Sequence, residues 1–114
     1  MEVGIFFTVP KDFKDRELSP RVTTRLAWGE KLMLSHVTVQ ANAPIVPLHS
    51  HPHEQMGIVM GGKVGLTIGS ETREIKKGDM FLIPPNTLHG LAFTFDQPAE
   101  ILDIFSPPRE EFKK

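Results

Sequence analysis

The chain has 114 residues, a formal net charge of −1 and no cysteine. Its length is typical of one domain, and its charge provides no basic field for nucleic acid. Without cysteine it forms no disulfide and offers no thiolate ligand, and it has no apolar run of 18 residues that would span a membrane. We therefore expect one domain over residues 1–114. We also expect a cytoplasmic protein, because residues 1–7 lack the features of a signal peptide.

Short apolar segments separated by turn residues follow one another along the chain. The turns contain glycine, proline or asparagine and recur about every 8 to 12 residues, which is typical of an all-β sandwich or barrel. The predicted strands in chain order are 5–9, 22–28, 32–40, 46–51, 55–60, 63–68, 72–75, 80–83, 88–95 and 100–106.

The predicted strand 55–60 is apolar on both faces, since Met56, Ile58 and Met60 alternate with Gly57 and Val59. A strand with one face in water would alternate apolar and polar residues. The second face therefore packs either within the same monomer or on a second subunit. We expect a homodimer.

Four of the five histidines lie in two places, at His49, His51 and His53 and at His89. Two histidines at i and i+2 on a strand point to the same face, so His49 and His51 can bind one metal ion. Imidazole nitrogens are common ligands of divalent metals, and His89 supplies a third ring.

The polar residues next to these histidines, and the remaining histidines, have different expected roles. Gln55 begins the next predicted strand and is the expected fourth metal ligand, with Glu54 as the alternative if Gln55 faces away. We expect His53 to lie outside the ligand set, behind the ligands or facing solvent. For the isolated His36 we expect an ordinary structural role.

The spacing of these residues resembles the two motifs of the cupin superfamily. His49-x-His51-x3-Gln55 followed by Gly61 is similar to the first motif, and Gly78-Asp79-x4-Pro84-x4-His89 is similar to the second. The resemblance implies an all-β, RmlC-like cupin fold, a double-stranded β-helix or jelly-roll barrel. It also implies one divalent metal ion, with Zn, Ni, Mn and Fe all compatible with His49, His51, Gln55 and His89.

The sequence departs from the usual cupin pattern at two positions. Gln55 stands where many cupins have glutamate, which leaves a bound dication with one less compensating negative charge. Asn86 stands where glycine is usual. Because asparagine tolerates the left-handed backbone region, we expect the second change to preserve the turn.

The last predicted strand places Asp103 and Phe105 on one face. If Leu102 and Ile104 pack between layers, Asp103 and Phe105 face the metal cavity. Asp103 could then act as acid and base, Phe105 could cover an apolar sugar face, and Arg109 could bind a carboxylate through two hydrogen bonds. Alternatively, Asp103 and Arg109 form a salt bridge that only pins the tail.

Segments 46–56 and 102–109 resemble the pectin-degradation cupins that linearise 4,5-unsaturated uronates. This resemblance implies that Asp103, Phe105 and Arg109 are catalytic and that the partner is a small anionic sugar from pectin or alginate breakdown. The reaction would be ring opening and tautomerisation of the monosaccharide. Two other classes stay open: a metal-dependent dioxygenase or other small-molecule cupin enzyme, and a non-catalytic barrel that binds a small molecule.

Overall fold

The computed structural model describes residues 6–10 and 13–114. No helix among these residues is long and apolar enough to cross a membrane. A 3-10 helix lies near the C-terminus at Glu110–Lys113. The strands are β1 (Lys14–Ser19), β2 (Val22–Trp28), β3 (Met33–Val39), β4 (Val46–His49), β5 (Glu54–Gly61), β6 (Lys63–Ile68), β7 (Glu71–Lys76), β8 (Met80–Ile83), β9 (His89–Phe93) and β10 (Ala99–Ser106).

The strands form two antiparallel sheets that enclose an apolar core. The larger sheet has the order β1-β2-β3-β10-β5-β8, and the smaller has the order β4-β9-β6-β7. Inward residues of both sheets, including Val37, Val59, Val64, Leu91 and Ile101, form the main core cluster. Buried and less buried residues alternate along β2 and β3, as expected for strands with one face toward a core. This is the all-β architecture that the sequence predicted.

Nine predicted strands are present, and their ends differ from the prediction by at most two residues. The prediction of a strand at residues 5–9 is wrong for the residues that the structure describes. Residue 5 lies outside the described residues, and residues 6–9 form no strand. Phe6 and Phe7 are exposed there, so their apolar character does not reflect burial.

β1 is not among the strands predicted from the sequence. Its residues are mostly charged or polar, and the strand lies at the edge of the larger sheet, paired with β2. An edge strand held through its backbone can carry charged side chains on both faces. The hydrophobic pattern therefore gives no signal for it.

The turn at Asn86 has the left-handed conformation that was predicted, with φ 61°. The Asn86 N–H donates to the His51 carbonyl at 2.7 Å. The turn of the second motif therefore holds the loop that carries a histidine of the first motif.

The condition that Leu102 and Ile104 pack between layers is not met, because both lie on the outer face of the larger sheet. Ile104 is in register with Leu34 on β3 and with Met56 on β5, and Met56 is in register with Leu82 on β8. These four side chains are 36–49% exposed. The second apolar face of β5 is therefore a surface of the monomer and is not buried within it.

Candidate functional site

The predicted metal ligands converge where the two sheets meet. His49 and His89 are register partners on β4 and β9, and their ring centroids lie 4.4 Å apart. The His51 ring is 4.9 Å from that of His89 and 6.3 Å from that of His49. The expectation that His49 and His51 share one strand face is wrong, because β4 ends at His49. His51 reaches the other two rings from the following loop.

The protonation pattern of the three rings follows from their hydrogen bonds. Each Nδ1 lies 2.8–3.1 Å from a backbone carbonyl two residues away, which only accepts hydrogen bonds. In each ring's neutral form Nδ1 therefore carries the proton, and Nε2 keeps its lone pair. The carbonyls belong to Pro47 for His49, to His53 for His51 and to Thr87 for His89. His53 thus supports a ligand from behind, which is one of its two expected roles.

Gln55 lies beside the histidines, and its Oε1 is 3.1 Å from His51 Nε2. If Nδ1 of His51 carries the proton, these two atoms are both acceptors, and a cation between them resolves the unfavourable contact. Gln55 is buried, whereas Glu54 is exposed. The donor set therefore fits a divalent metal through Gln55 and not through the alternative Glu54.

The ligands approach one another without closing a coordination sphere. In residues 6–10 and 13–114, no group of three or more His, Cys, Asp or Glu side chains is already arranged to hold a metal ion. His49 and His51 are the most widely separated of the three ligand rings.

Burial keeps two of the rings neutral. It lowers the pKa of His51 to about 4, and the positive charge of Arg109 acts in the same direction. Burial also lowers the pKa of His89. Neutral imidazole is the form that binds metals, so this environment favours ligation at neutral pH.

Asp103 and Phe105 line the cavity, although the packing of Leu102 and Ile104 on which the sequence prediction depended is not met. Phe105 is buried and in register with Gln55, and Asp103 is in register with Gly57. The Asp103 Oδ1 atom is buried and has no hydrogen-bond partner. Burial raises the pKa of Asp103 to about 7, although Gln55 and Arg109 oppose the rise. Near neutral pH this carboxyl can therefore either accept or donate a proton.

Gly57 makes room for the Asp103 carboxyl on the neighbouring strand. A Cβ at this position would overlap the Phe81 ring and would lie 2.7 Å from Asp103 Oδ1. Only glycine therefore allows Phe81 and Asp103 to keep their positions. No pattern in the sequence distinguishes this glycine from the other residues of its strand.

Arg109 reaches the same cavity from the C-terminal segment. Its guanidinium lies 4.0 Å from the Phe112 ring centroid and 5.2 Å from that of Phe105. Its Nε and Nη2 donate to Glu111 Oε2 at 3.1 and 2.9 Å. The carboxylate paired with Arg109 is therefore that of Glu111, and the alternative of an Asp103–Arg109 salt bridge is wrong.

Glu111 and Arg16 support Arg109 and were both missed in the sequence. Burial opposes ionisation of Glu111, but hydrogen bonds from its own backbone and from Arg109 hold its pKa below the usual value. Arg16 on β1 donates to the Glu111 carbonyl at 2.8 Å and lies over the Phe112 ring. β1 therefore fixes the short helix next to Arg109. A sequence pattern gives no signal for this contact across 95 residues.

His36 lies apart from this cluster, as expected. Its Nε2 is 3.1 Å from Glu100 Oε2, and its side chain is 39% exposed. The cavity itself has a volume of about 490 Å³. Six of the predicted site residues line it, namely His49, Gln55, His89, Asp103, Phe105 and Arg109.

Two curated relatives are similar to the chain. A pectin degradation protein, KdgF of Dickeya dadantii, is 31% identical over 88 residues, which cover 76% of this chain and 78% of that protein. The H2HPP isomerase of Bacillus subtilis is 27% identical over 114 residues. That match covers 96% of this chain, which spans about half (48%) of the isomerase.

Two solved structures have the same fold. An RmlC-like cupin from Shewanella frigidimarina has a TM-score of 0.82 at 22% identity, covering 94% of this chain and 95% of that one. KdgF from a Halomonas species has a TM-score of 0.80 at 26% identity, covering 92% and 96%. The cupin domain family matches residues 35–105. These matches confirm the predicted fold and the resemblance to the pectin-degradation cupins, and the chain belongs to the cupin domain family.

Proposed function

We propose that the protein is a metal-dependent isomerase, formed by one cupin domain over residues 1–114, that opens 4,5-unsaturated uronate monosaccharides to their linear keto form. The observation that carries this proposal is that one cavity is lined by His49, Gln55 and His89, by the carboxyl of Asp103 and by the guanidinium of Arg109. A set of metal ligands, a proton carrier and a carboxylate binder suits an isomerisation that moves protons without redox change.

His49, His51, Gln55 and His89 would hold one divalent ion, with Zn, Ni, Mn and Fe all compatible with these donors. Bound there, the ion would supply Lewis-acid stabilisation of negative charge on substrate oxygens. In their metal-binding forms the three imidazoles and the Gln55 amide are all uncharged. They would leave the positive charge of the ion uncompensated and available for this role.

Arg109 would bind and orient the carboxylate of the substrate. Its guanidinium is held by Glu111 and by stacking on Phe112, and its side chain is only 14% exposed. An arginine in such a fixed position binds a carboxylate with little loss of side-chain freedom. Phe105, which lies between His51 and Arg109, would cover an apolar face of the sugar ring.

Asp103 would carry the proton. Its carboxylate would take the proton of the hydroxyl on C1 while the bond between C1 and the ring oxygen breaks, which leaves an enolate at C5. Returning that proton to C4 gives the 5-keto product. Atoms and electrons balance, because one proton leaves oxygen and one reaches carbon. A carboxyl whose pKa is about 7 can make both transfers near neutral pH.

The names of two relatives support an isomerase. One is a pectin degradation protein and the other an H2HPP isomerase. The departure of Gln55 from the usual cupin glutamate also fits, since glutamine is among the ligands of the uronate-linearising cupins that the chain resembles.

The test follows 4,5-unsaturated galacturonate or guluronate by proton NMR, with and without the metal-loaded protein. We expect faster appearance of the linear keto form than in the spontaneous reaction. His89→Ala should abolish the acceleration, whereas His36→Ala should retain it, because His36 lies on the outer face and pairs with Glu100. An unchanged spontaneous rate with metal-loaded protein would overturn the proposal.

We also propose that the chain forms a homodimer in the cytoplasm through the outer face of the larger sheet. Leu34, Ile104, Met56 and Leu82 form one row across four strands, and Leu102, Ile58 and Met80 form the next row. Contiguous apolar surface of this kind is uncommon on monomers. A second copy related by a two-fold axis would cover it with the same surface.

A further inference from the structure

Gln55 and Asp103 are diagonal neighbours on adjacent strands, and both side chains line the cavity. Gln55 on β5 is in register with Phe105 on β10, and Asp103 lies two residues before Phe105 on the same face of β10. Diagonal neighbours in an antiparallel pair are about 7–8 Å apart, a distance that long side chains can bridge. The residue of β5 directly opposite Asp103 is Gly57, which has no side chain to separate the two.

The Asp103 carboxyl extends over β5, the strand that carries Gln55. A Cβ at Gly57 would lie 2.7 Å from Asp103 Oδ1, so this oxygen lies directly above the backbone of β5. Burial raises the pKa of Asp103, and side-chain hydrogen bonding with Gln55 acts against that rise. The position of the carboxyl and its electrostatics therefore both point to Gln55 as the neighbour that stabilises the ionised form.

An amide at position 55 can serve two partners at once. Its oxygen lies 3.1 Å from His51 Nε2, on the side of the candidate metal ligands. The N–H2 group forms the other branch of the same planar amide, so it points away from His51 and can donate to an acceptor. An ionised glutamate, usual in cupins at this position, has two oxygens and no donor. It would place a second carboxylate beside Asp103, which like-charge repulsion opposes.

We propose that Gln55 is a positioning residue for Asp103: its side-chain oxygen faces the metal site, and its N–H2 group donates a hydrogen bond to the Asp103 carboxylate. The hydrogen bond fixes the plane of the carboxylate and leaves its second oxygen to take the substrate proton. Glutamine therefore stands where many cupins have glutamate because this site needs a donor there. The inference rests on the proposed function in taking Asp103 as the proton carrier, but the contact between the two side chains depends on no substrate.

A double-mutant cycle on the metal-free protein tests the contact, with urea denaturation in a chelator at pH 8. Gln55→Glu keeps the shape of the side chain and removes its donor. We expect it to raise the unfolding equilibrium constant roughly tenfold more in the wild-type background than in the Asp103→Asn background, where an asparagine amide can donate to the new carboxylate. Equal effects in the two backgrounds would overturn the inference.

Glu54→Gln is the matched control, because Glu54 precedes Gln55 on the same strand and is exposed. Its effect on the unfolding constant should agree within about twofold between the two backgrounds. A difference as large as that of Gln55→Glu would show that Asp103→Asn alters the strand as a whole, and it would overturn the inference. If Gln55→Glu alone does not fold, adding Asp103→Asn should restore folding, and a double variant that also fails to fold would count against the contact.

The metal-loaded protein tests the consequence for the reaction. Gln55→Glu should retain stoichiometric metal in elemental analysis, because a carboxylate oxygen is also a metal ligand. We expect its kcat for the uronate to fall about a hundredfold and its KM to change by less than about threefold, since Arg109 still binds the substrate carboxylate. An unchanged kcat would overturn the positioning role of Gln55.

The two kinds of measurement separate this inference from the proposed function. If the metal-loaded wild type does not convert the uronate, the proposed reaction fails, and the double-mutant cycle still decides whether Gln55 contacts Asp103. If the wild type converts the uronate but Gln55→Glu has equal effects in the two backgrounds, the proposed reaction stands and the inference fails.

Discussion

Replacing Asp103 with asparagine should make the protein more stable and less active. The Asp103 Oδ1 atom is buried without a hydrogen-bond partner, and burial raises the pKa of the carboxyl from 3.8 to about 7. At pH 8 the folded protein therefore holds a charge in an unfavourable position. Asparagine has the same shape and no charge. It should relieve this cost while removing the proton carrier.

The pH dependence of the stability gain follows from proton linkage. The folded state binds a proton at Asp103 between pH 3.8 and about 7, where the unfolded state has already lost it. The wild-type free energy of unfolding should therefore fall as pH rises through this range. The pKa change corresponds to about 4 kcal/mol at ~1.36 kcal/mol per pH unit. Because relaxation of the protein and nearby water reduce the cost of a buried charge, we expect about 2 kcal/mol.

The assay is urea denaturation of wild type and Asp103→Asn at pH 5, 6, 7 and 8, in a chelator so that metal binding does not contribute. The stability of the variant relative to wild type should increase with pH and level off above about pH 7. Asp79→Asn controls for removing a carboxylate from an exposed turn, where Asp79 accepts from the Lys76 N–H. The reasoning is refuted if the difference between Asp103→Asn and wild type is the same at every pH.

Three further predictions follow from the site and the surface. His51→Ala or His89→Ala should abolish stoichiometric metal in elemental analysis, and full occupancy in both variants would contradict the ligand assignment. Glu111→Gln should raise KM for the uronate about tenfold with a smaller change in kcat, because Arg109 loses the carboxylate that orients it. An unchanged KM would exclude this positioning role of Glu111. Analytical ultracentrifugation of the wild type should give twice the 12.8 kDa chain mass. Met56→Glu should give the monomer mass, because it places a charge in the apolar row. A wild-type monomer at all concentrations would contradict the dimer.

Most of the barrel could be predicted from the sequence because its strands carry their own signals. Alternating apolar residues define β2 and β3, and turn residues such as Asn86 mark the ends of strands. β1 could not be predicted, because its charged residues are held by backbone pairing with β2. The inward direction of Asp103 followed from strand alternation, but the exposure of Ile104 depends on which elements cover the sheet, and alternation does not report that.

The candidate site was predictable where spacing alone brings residues together. His49, His51 and Gln55 lie close in sequence, and His89 is brought to them by the pairing of β4 with β9. The support of Arg109 by Glu111 and Arg16 was not predictable, since it depends on where the C-terminal helix packs. The carbonyl partners of the three rings were also not predictable, because the sequence does not specify where backbone carbonyls point.

Anomalous diffraction from crystals of the metal-loaded protein would test the central claim most directly, because the proposed chemistry depends on where the ion binds. The account predicts one strong peak within about 2.0–2.4 Å of the Nε2 atoms of His49, His51 and His89 and of the Gln55 side-chain oxygen. Arg109 and Asp103 should line the same cavity. A metal-loaded crystal with its peak elsewhere, or with Glu54 in place of Gln55, would contradict the account.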